Sequence, residues 1–525
     1  MTTIREAVFG LLRRHGMTTV FGNPGSNELL FLKDFPSEFR YILGLHEGAV
    51  MAMADGYAQA SGQSPLVSLH SAAGTGSSMG VLPNTVYAKS PVVVLSGQQV
   101  RDTVGQDVMV SSQEAALLPR PLSKWSTEPL GAGDVLRSLA QAIHIANLAP
   151  KGPTHVSVPY DDWEREAGEN ADFTVGRAVA DATALADRHL DEITASLDAA
   201  SHPVLVLGPE VDATHANDDA VRLAERLAAP VWVAPSPARC PFPTTHPLFQ
   251  GVLPANVVGI AQLLSRHDAV LVVGAPVFRY HHQHPGRYLA DGSRLIHISN
   301  DPSEVARAPF GDAYLAPIDD ALARLAGNVQ ARDASPPPRS ERAAGIDRAN
   351  RMHPDTVFRA ISDLAPEDAI HVVESTSTAE SFWSNVAMRH QGSFYSAAAG
   401  GLGFGLPAAV GVQLAQPERR VVAEIGDGSA NFGLVGLWTA ARYRIPVTFV
   451  VLRNDTYGAL VSFGRRLSAT GLPGFELPDI DFVQLANGYG VAAESVCTEA
   501  RLRESLTKAF AGDEPVLIEA HTYYE

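Results

Sequence analysis

The segment most informative about the fold begins with Gly426-Asp427-Gly428-Ser429 and ends with Asn454-Asp455-Thr456-Tyr457-Gly458. A mostly apolar run at 420–425 precedes the first motif, and a second run at 447–452 precedes the other. Both runs are predicted to be buried strands of a parallel sheet, and open α/β sheets place their ligands at the carboxyl ends of such strands. We therefore expect the Asp427 carboxylate and the Asn454 amide to meet at one edge of a sheet.

These two side chains predict a magnesium site. A hard divalent cation takes oxygen ligands, and the carboxylate of Asp427, the amide of Asn454 and the backbone carbonyl of Thr456 supply them. Gly428 and Ser429 stand where a helix is predicted to begin, so that their N–H groups can face a phosphate. A Gly-Asp-Gly turn alone is ordinary loop chemistry. The prediction depends on the partner Asn and on the two flanking strands.

Composition narrows the class of protein. A chain of 525 residues exceeds a single core, and three domains are the natural expectation. The net charge of -17, with no cluster of Lys and Arg, argues against nucleic acid or an anionic membrane as partner. No apolar run reaches the length of a membrane span, and the first sixteen residues lack the apolar core of a signal peptide. Cys240 and Cys497 form no disulfide or metal pattern, so we expect a cytoplasmic protein.

Near the N-terminus, a short predicted strand at 19–21 is followed by Gly22-Asn23-Pro24-Gly25-Ser26-Asn27-Glu28. A Gly/Pro/Asn cluster in this place forms a turn that can expose a side chain at the strand's carboxyl end, and Ser26 is the candidate. The alternative is that Ser26 or Asn27 only caps the next helix.

Glu47 opens a predicted helix of small residues at 46–58 and is its conspicuous carboxylate. It is either a buried functional carboxyl or a solvated group that complements the helix dipole. His70 ends the next predicted strand, where it is a candidate acid or base near neutral pH, or else a structural histidine. The following Ala73-Gly74-Thr75-Gly76 lacks the third glycine of a dinucleotide fingerprint and is predicted to be a close-approach turn before a helix that reaches Ala88.

The middle of the chain alternates strands and helices, which implies another doubly wound sheet. Its strands are predicted at 203–208, 231–234, 269–274 and 294–299. The loop 274–284 holds three histidines in four positions, but no carboxylate or Cys completes a metal set, so a cleft-facing catalytic histidine or a surface histidine is favoured over a metal site. No fingerprint requires an adenine cofactor here.

A charged, proline-rich segment at 328–344 is predicted to be a linker. Beyond it come a helix near Pro354, a strand at 369–373 that leads into hydroxyl-bearing residues, and the glycine-rich segment 399–406. The predicted architecture is an α/β protein of three doubly wound parallel-sheet domains at 1–180, 181–335 and 345–525.

Taken together, these segments resemble the thiamine-diphosphate (ThDP) dependent 2-oxo acid decarboxylases, in particular the benzoylformate decarboxylases. The resemblance covers nearly the whole chain and is carried by five segments: 21–28, 69–76, 274–281, 400–404, and 426–429 with 456–460. It implies ThDP and Mg²⁺ as cofactors, the Mg²⁺ being held by Asp427, Asn454 and Thr456. It also implies a homotetramer, a dimer of dimers with each active site at a dimer interface.

Residue by residue, the resemblance implies a role for each candidate. Glu47 would hydrogen-bond the aminopyrimidine, the Gly400 carbonyl would accept from its amino group, and Leu402 would support the cofactor's bent shape. Ser26, His70 and His281 would face the substrate, with Ser26 gripping the carboxylate and the histidines moving protons. The residues implied to hold the diphosphate are Thr376, Ser377, Gly428, Ser429, Tyr457 and Gly458.

Two departures from the family pattern stand out. Arg453 replaces the first of the two adjacent Asn that usually close the metal motif. Ser396 stands where a bulky Phe is expected against the substrate's ring, whereas Ala459, Leu460 and Phe463 keep the pocket apolar. The implied reaction is the non-oxidative decarboxylation of benzoylformate or a related aryl 2-oxo acid to an aromatic aldehyde and CO₂, with possible carboligation as a side activity.

Three alternatives remain open from the sequence. The pocket could prefer aliphatic 2-oxo acids, or the protein could be a carboligase of the acetolactate synthase type, although fast protonation by two histidines would compete with ligation. A catalytically silent homologue would be expected to have lost Glu47, Asp427 or Asn454, and all three are present.

Overall fold

The computed structural model describes residues 2–180, 183–279, 286–333, 339, 343–469 and 471–524. The chain divides into two compact units. The first comprises Met1–Ala180, His371–Ser377 and Ala397–Glu525, and the second comprises Asp181–Ile370 and Thr378–Ser396. The described residues form three six-stranded sheets, which is the α/β class that the sequence predicts.

The N-terminal sheet lies in the first unit. Its strands are β1 (Thr19–Gly22), β2 (Arg40–Leu43), β3 (Leu66–Leu69), β4 (Val93–Gln98), β5 (Trp125–Thr127) and β6 (Thr154–Pro159). They pair in the order β2-β1-β3-β4-β6-β5, and each neighbouring pair is parallel. The helices are α1 (Ile4–Arg14), α2 (Leu29–Leu32), α3 (Glu47–Ser61), α4 (Ser71–Ser78), α5 (Leu82–Tyr87), α6 (Val135–Asn147) and α7 (Ala171–Gly176).

The middle sheet lies in the second unit. Its strands are β7 (Pro203–Leu207), β8 (Val231–Val233), β9 (Phe249–Val252), β10 (Ala269–Val273), β11 (Arg294–Ser299) and β12 (Asp312–Leu315). The order is β12-β11-β10-β7-β8-β9, and the pairs are parallel. Its helices are α8 (Asp187–Ala199), α9 (Pro209–Ala213), α10 (Asn217–Leu227), α11 (Val257–Leu264), α12 (Pro302–Arg307) and α13 (Ile318–Asn328).

The C-terminal strands are β13 (Ile370–Glu374), β14 (Phe394–Ser396), β15 (Val421–Gly426), β16 (Thr448–Arg453), β17 (Ala492–Val496) and β18 (Val516–His521). Those of the first unit run in the order β13-β15-β16-β18-β17. The helices are α14 (Pro354–Leu364), α15 (Ala379–Asn385), α16 (Gly405–Ala415), α17 (Asp427–Ala430), α18 (Gly436–Tyr443), α19 (Gly458–Arg466), α20 (Phe482–Gly488) and α21 (Glu499–Ala511). Strand β14 and helices α14 and α15 belong to the second unit.

Most of the central strands are ones that apolar runs predict, but β18, in the interior of the C-terminal sheet, was not predicted. Strands β3, β7 and β10 are buried along their whole length, as parallel strands covered on both faces must be. Strands β5, β9 and β12 lie at sheet edges and were not predicted from the sequence. Each has only three or four residues and is partly exposed, so it carries a weak apolar signal.

Helices α3 and α16 pack backbone to backbone within the first unit. A Cβ on Gly56 would overlap the Ala408 carbonyl, and a Cβ on Gly411 would overlap the Met53 carbonyl. Only glycine permits this approach. The close contacts at Gly56 and Gly411 therefore fix the position of α3, which begins with Glu47.

The predicted turn at Ala73-Gly74-Thr75-Gly76 is wrong, because this segment lies inside α4. The predicted helix to Ala88 is a separate element, α5. Close approach does occur at this point, since a Cβ on Gly74 would lie 3.3 Å from Glu47 Cγ. Gly74 lets a helix, rather than a turn, pass close to Glu47.

Candidate active site

Asp427 and Asn454 lie together at the carboxyl ends of β15 and β16. Asp427 Oδ2 accepts hydrogen bonds from the backbone N–H of Asn454 at 2.9 Å and of Asp455 at 2.7 Å. Its Oδ1 accepts from the Gly428 N–H at 2.8 Å. Burial raises the pKa of the Asp427 carboxyl, although these backbone donors oppose the shift. The carboxylate therefore holds the two halves of the site together.

The neighbouring oxygens suit a hard cation. Asn454 Oδ1 accepts from the Thr456 N–H at 3.0 Å, and the Thr456 carbonyl accepts from the Gly458 N–H at 2.9 Å. Amide and carbonyl oxygens have two lone pairs, so each can accept one hydrogen bond and still coordinate a metal. One carboxylate with two neutral oxygens fits Mg²⁺, which keeps water and phosphate as its other ligands.

Two glycines shape the surface beside this cation site. A Cβ on Gly428 would lie 2.6 Å from Tyr457 Cε1, and one on Gly458 would lie 2.6 Å from Tyr524 Cδ2 and 3.1 Å from Ser377 Cβ. Gly458 also begins α19, and its own N–H donates to the Thr456 carbonyl. Tyr457 and Ser377 therefore flank the predicted diphosphate residues Gly428 and Gly458.

The other two predicted diphosphate residues differ in exposure. Thr376 is exposed, whereas Ser429 is buried in α17. Their hydroxyl groups are donors that fit a diphosphate, whereas the Gly428 and Gly458 N–H groups already donate to Asp427 Oδ1 and to the Thr456 carbonyl.

A second cluster surrounds His70, at the carboxyl end of β3. His70 Nδ1 lies 3.0 Å from Glu28 Oε2, and the same oxygen accepts from the Gly25 N–H at 2.7 Å. Glu28 is 3% exposed, and burial raises the pKa of its carboxyl. A Cβ on Gly25 would overlap the imidazole, so the Gly25 backbone packs directly against the ring.

Glu47 and Ser26 border this second cluster. Glu47 is half-buried at the start of α3 and accepts from Asn23 Nδ2 at 3.1 Å. Ser26 is exposed and begins a short 3₁₀ helix, Ser26–Glu28, with its Oγ 3.4 Å from Asn27 Oδ1. The loop 22–28 thus supplies Asn23 to Glu47 and Glu28 to His70, and presents Ser26 beside them.

The loop that carries Gly400 and Leu402 is held by two side chains within the first unit. Asn84 Oδ1 accepts from the Ala399 and Gly401 N–H groups at 3.0 and 3.2 Å, and its Nδ2 donates to the Gly401 carbonyl at 2.8 Å. Gly400 has φ +74°, which favours glycine, and Leu402 is half-buried.

Glu374 holds the other end of this loop. It accepts from the N–H groups of Gly403 at 2.9 Å, Phe404 at 3.3 Å and Gly405 at 2.8 Å. Burial raises the pKa of its carboxyl to about 7, against the effect of the three backbone donors. The loop is therefore fixed at both ends by buried polar groups.

The predicted substrate residues fall in different parts of the structure. Ser396 belongs to the second unit, where its Oγ donates to the Pro237 carbonyl at 2.9 Å. Ala459 and Phe463 are half-buried on α19, and Leu460 on the same helix is 47% exposed. His281 lies outside the described residues.

The sequence patterns indicated no role for Glu28, Asn84 or Glu374. Glu28 stands inside the quoted loop, and its burial, which only the fold reveals, makes it a partner for His70. Asn84 and Glu374 act on a loop that is distant from them in sequence. No local pattern would have pointed to them.

Comparison with known proteins identifies the domains of the chain. Three family models match: the N-terminal TPP (thiamine pyrophosphate, synonymous with ThDP) binding domain at residues 2–116, the central domain of these enzymes at 190–325, and the C-terminal TPP binding domain at 375–520. These are the domains of a thiamine pyrophosphate enzyme.

Individual relatives narrow the group. The chain is 52% identical to benzoylformate decarboxylase of Pseudomonas aeruginosa over 99% of both chains. It matches the structure of a ThDP-dependent 4-hydroxybenzoylformate decarboxylase from Rhodococcus jostii RHA1 with TM-score 0.98, 53% identity and complete coverage of both chains. A benzoylformate decarboxylase structure from Polynucleobacter necessarius matches with TM-score 0.97 and 34% identity, covering 100% of this chain and 99% of that one.

The chain therefore belongs to the benzoylformate decarboxylase family of thiamine pyrophosphate enzymes. Its cofactor is ThDP, with Mg²⁺ as the usual partner metal. None of the helices in the described ranges combines the length and apolar character that crossing a bilayer requires.

Proposed function

We propose that this protein decarboxylates an aryl 2-oxo acid of the benzoylformate class, without oxidation, to an aromatic aldehyde and CO₂. One observation carries the proposal: whole-length similarity to enzymes named for this reaction accompanies the retained residues Glu47, His70, Asp427 and Asn454. When bound, ThDP supplies the nucleophilic carbon and the electron sink that the reaction needs. The chain's own residues hold the cofactor, orient the substrate and move protons.

The cofactor is held by groups of complementary chemistry. Asp427, Asn454 and the Thr456 carbonyl would hold Mg²⁺, and the hydroxyl groups of the diphosphate residues named above would donate to the diphosphate. Glu47 would hydrogen-bond the aminopyrimidine ring, and the Gly400 carbonyl would accept from its amino group. Leu402 would support the cofactor from its own loop.

Ser26 and His70 act on the substrate. A neutral hydroxyl such as that of Ser26 grips a carboxylate without the strong attraction of a cation, which would stabilise the bound substrate more than the transition state. His70 donates the proton that replaces CO₂, because its Nδ1 is engaged by Glu28 and its Nε2 is left to exchange a proton. We assign His281 a part in proton transfer and aldehyde release.

The ring pocket is proposed to admit substituted rings. Ser396 is much smaller than the Phe expected at its position, and a 4-hydroxylated substrate is named for one of the related structures. Ala459, Leu460 and Phe463 keep the pocket apolar, which favours an aromatic side chain over a short aliphatic one. Carboligation of aldehydes is proposed as a side activity.

The test is CO₂ release by the purified protein from benzoylformate, 4-hydroxybenzoylformate, pyruvate and a branched 2-oxo acid, with and without ThDP and Mg²⁺. Cofactor-dependent turnover that is fastest on an aryl substrate supports the proposal. Faster turnover on an aliphatic acid would show that the preferred substrates are aliphatic 2-oxo acids. Acetolactate formed from pyruvate would favour the carboligase alternative. No turnover on any of these acids would favour the silent homologue.

A matched variant tests the role of His70. In His70→Ala we expect decarboxylation to fall by at least about 10²-fold while ThDP still binds, since a positioned acid or base contributes on this scale. Undiminished turnover would remove His70 from the mechanism.

We also propose a cytoplasmic homotetramer, a dimer of dimers with active sites at dimer interfaces. The family resemblance supports the assembly, and the two free thiols, Cys240 and Cys497, fit a reducing compartment. The domain limits 1–180, 181–335 and 345–525 belong to the same proposal. Analytical ultracentrifugation tests the assembly.

A further inference from the structure

Asp455 stands in an unusual conformation between two proposed metal ligands, Asn454 and Thr456. Its φ is +59°, in the left-handed region that glycine adopts freely and that costs energy for a residue with a Cβ. In this conformation, the N–H groups of both Asn454 and Asp455 donate to the same oxygen of Asp427, Oδ2. The metal loop thus depends on a backbone geometry that Asp455 does not favour by itself.

The Asp455 side chain is anchored by Arg453. Arg453 Nε donates to Asp455 Oδ1 at 2.7 Å, and Nη1 of the same guanidinium donates to Glu519 Oε1 at 2.8 Å. Glu519 lies on β18 with only 4% of its side chain exposed. The planar guanidinium therefore bridges a fixed carboxylate in the sheet and the carboxylate of the strained residue.

The backbone of Arg453 is fixed as well. It is the last residue of β16 and pairs with His521 of β18, and its carbonyl accepts from the N–H of Thr522 at 2.8 Å. Because its backbone is fixed, the Arg453 side chain can restrain Asp455, two residues further along the chain.

We propose that Arg453 is a positioning residue for the metal loop: by bridging Glu519 and Asp455, it holds Asp455 in the left-handed conformation that brings Asn454 against Asp427. The inference rests on the proposed function for the identity of the ligands. It also accounts for the departure from the family motif: Arg453 replaces an Asn, whose shorter side chain does not bridge Glu519 and Asp455.

The decisive experiment compares Arg453→Gln with the double variant Arg453→Gln/Asp455→Gly. Mg²⁺ is titrated at fixed ThDP, and binding is followed by intrinsic tryptophan fluorescence and, with Mn²⁺ in place of Mg²⁺, by electron paramagnetic resonance. We expect Arg453→Gln to weaken metal binding about tenfold, a change of the size that loss of a ligand-orienting residue produces. The apparent Mg²⁺ constant should change more than kcat.

Glycine at 455 should restore metal affinity to within about threefold of the wild type, because it adopts the required φ without an anchor. Arg453→Gln and the double variant both leave Glu519 without its Arg453 contact. A difference in metal affinity between these two variants therefore reports the conformation at residue 455. Asp455→Gly alone should bind Mg²⁺ like the wild type, and it serves if Arg453→Gln fails to fold. Arg501→Gln, which breaks surface ion pairs of α21, is the matched control with no expected effect on metal binding.

Wild-type metal affinity in Arg453→Gln, or a double variant no better than Arg453→Gln alone, would overturn the inference. So would a large loss of metal affinity in Asp455→Gly. These readouts are separate from turnover. An inactive wild-type protein whose metal affinity still responds to Arg453 would refute the proposed function and leave the positioning role standing.

Discussion

The imidazole of His70 and the buried carboxyl of Glu28 are joined by a contact of 3.0 Å between Nδ1 and Oε2. Glu28 also accepts from the N–H of Gly25, so the same carboxyl fixes both the ring and the loop that presents Ser26. The pair defines which nitrogen of His70 is left to exchange a proton.

Replacing Glu28 by Gln should therefore reduce catalysis without removing the cofactor. The amide can donate to Nδ1 and favour the wrong tautomer, so we expect kcat to fall by about 10²-fold, the lower end of what acid–base groups contribute. Decarboxylation of benzoylformate measures kcat, and fluorescence titration measures ThDP affinity, which should stay within about threefold.

The double variant Glu28→Gln/His70→Ala tests whether the two residues act as a unit. Its activity should be close to that of His70→Ala alone, because Glu28 acts through His70. Fully multiplicative losses would contradict this pairing.

A methyl group at Gly25 should have a similar effect by a different route. In Gly25→Ala the new Cβ overlaps the His70 ring, which must move away from Glu28, and we expect at least a tenfold loss of kcat. Gly10→Ala is the matched control: Gly10 lies within α1 with open space around its Cα, so the change should leave kcat alone and stabilise the helix by about 0.5–1 kcal/mol. Equal activity in the two variants would contradict the packing of Gly25 against His70.

Removal of the metal should reveal the role of Asp427. Chelation with EDTA should abolish turnover, and added Mg²⁺ should restore it, because the diphosphate is held partly through the metal. Asp427→Asn should not be restored at the same Mg²⁺ concentration, since an amide loses the charge that attracts the cation and places an NH₂ group against backbone donors. Full recovery of Asp427→Asn at wild-type Mg²⁺ levels would exclude Asp427 as a ligand.

Glu374 should give the protein a distinctive pH dependence of stability. Its pKa in the folded protein is about 7, above the ordinary value of 4.5, so the folded state binds this proton more tightly than the unfolded state does. The corresponding stabilisation is complete below pH 4.5 and is lost as the pH rises through 7. Thermal unfolding of the wild type and Glu374→Gln between pH 5 and 8 measures it.

The Gln variant cannot titrate at this position, so the stability advantage of the wild type should shrink as the pH rises over this range. An advantage that stays constant over this range would show that the three backbone donors outweigh burial and that the carboxyl is ionised throughout. Gln413→Glu is unsuitable as a control, because it would introduce a new buried charge.

Residue patterns alone predicted the α/β class, most of the central strands and the convergence of Asp427 with Asn454. Short apolar runs bounded by turn residues indicate buried parallel strands, and parallel strands bring their carboxyl ends to one edge, so a local pattern predicts a distant pairing. The functions of Ser26, Glu47 and His70 were indicated by family resemblance.

The contacts that support these groups are visible only in the tertiary structure. Whether Glu28 is a solvated helix-end carboxylate or the buried partner of His70 depends on what covers it, and burial is a property of the whole fold. Asn84 and Glu374 reach a loop far along the chain, and Arg453 meets Glu519 across two strands. Such contacts follow from three-dimensional packing and leave no periodic trace in the sequence, which is why the supporting residues emerged only from the fold.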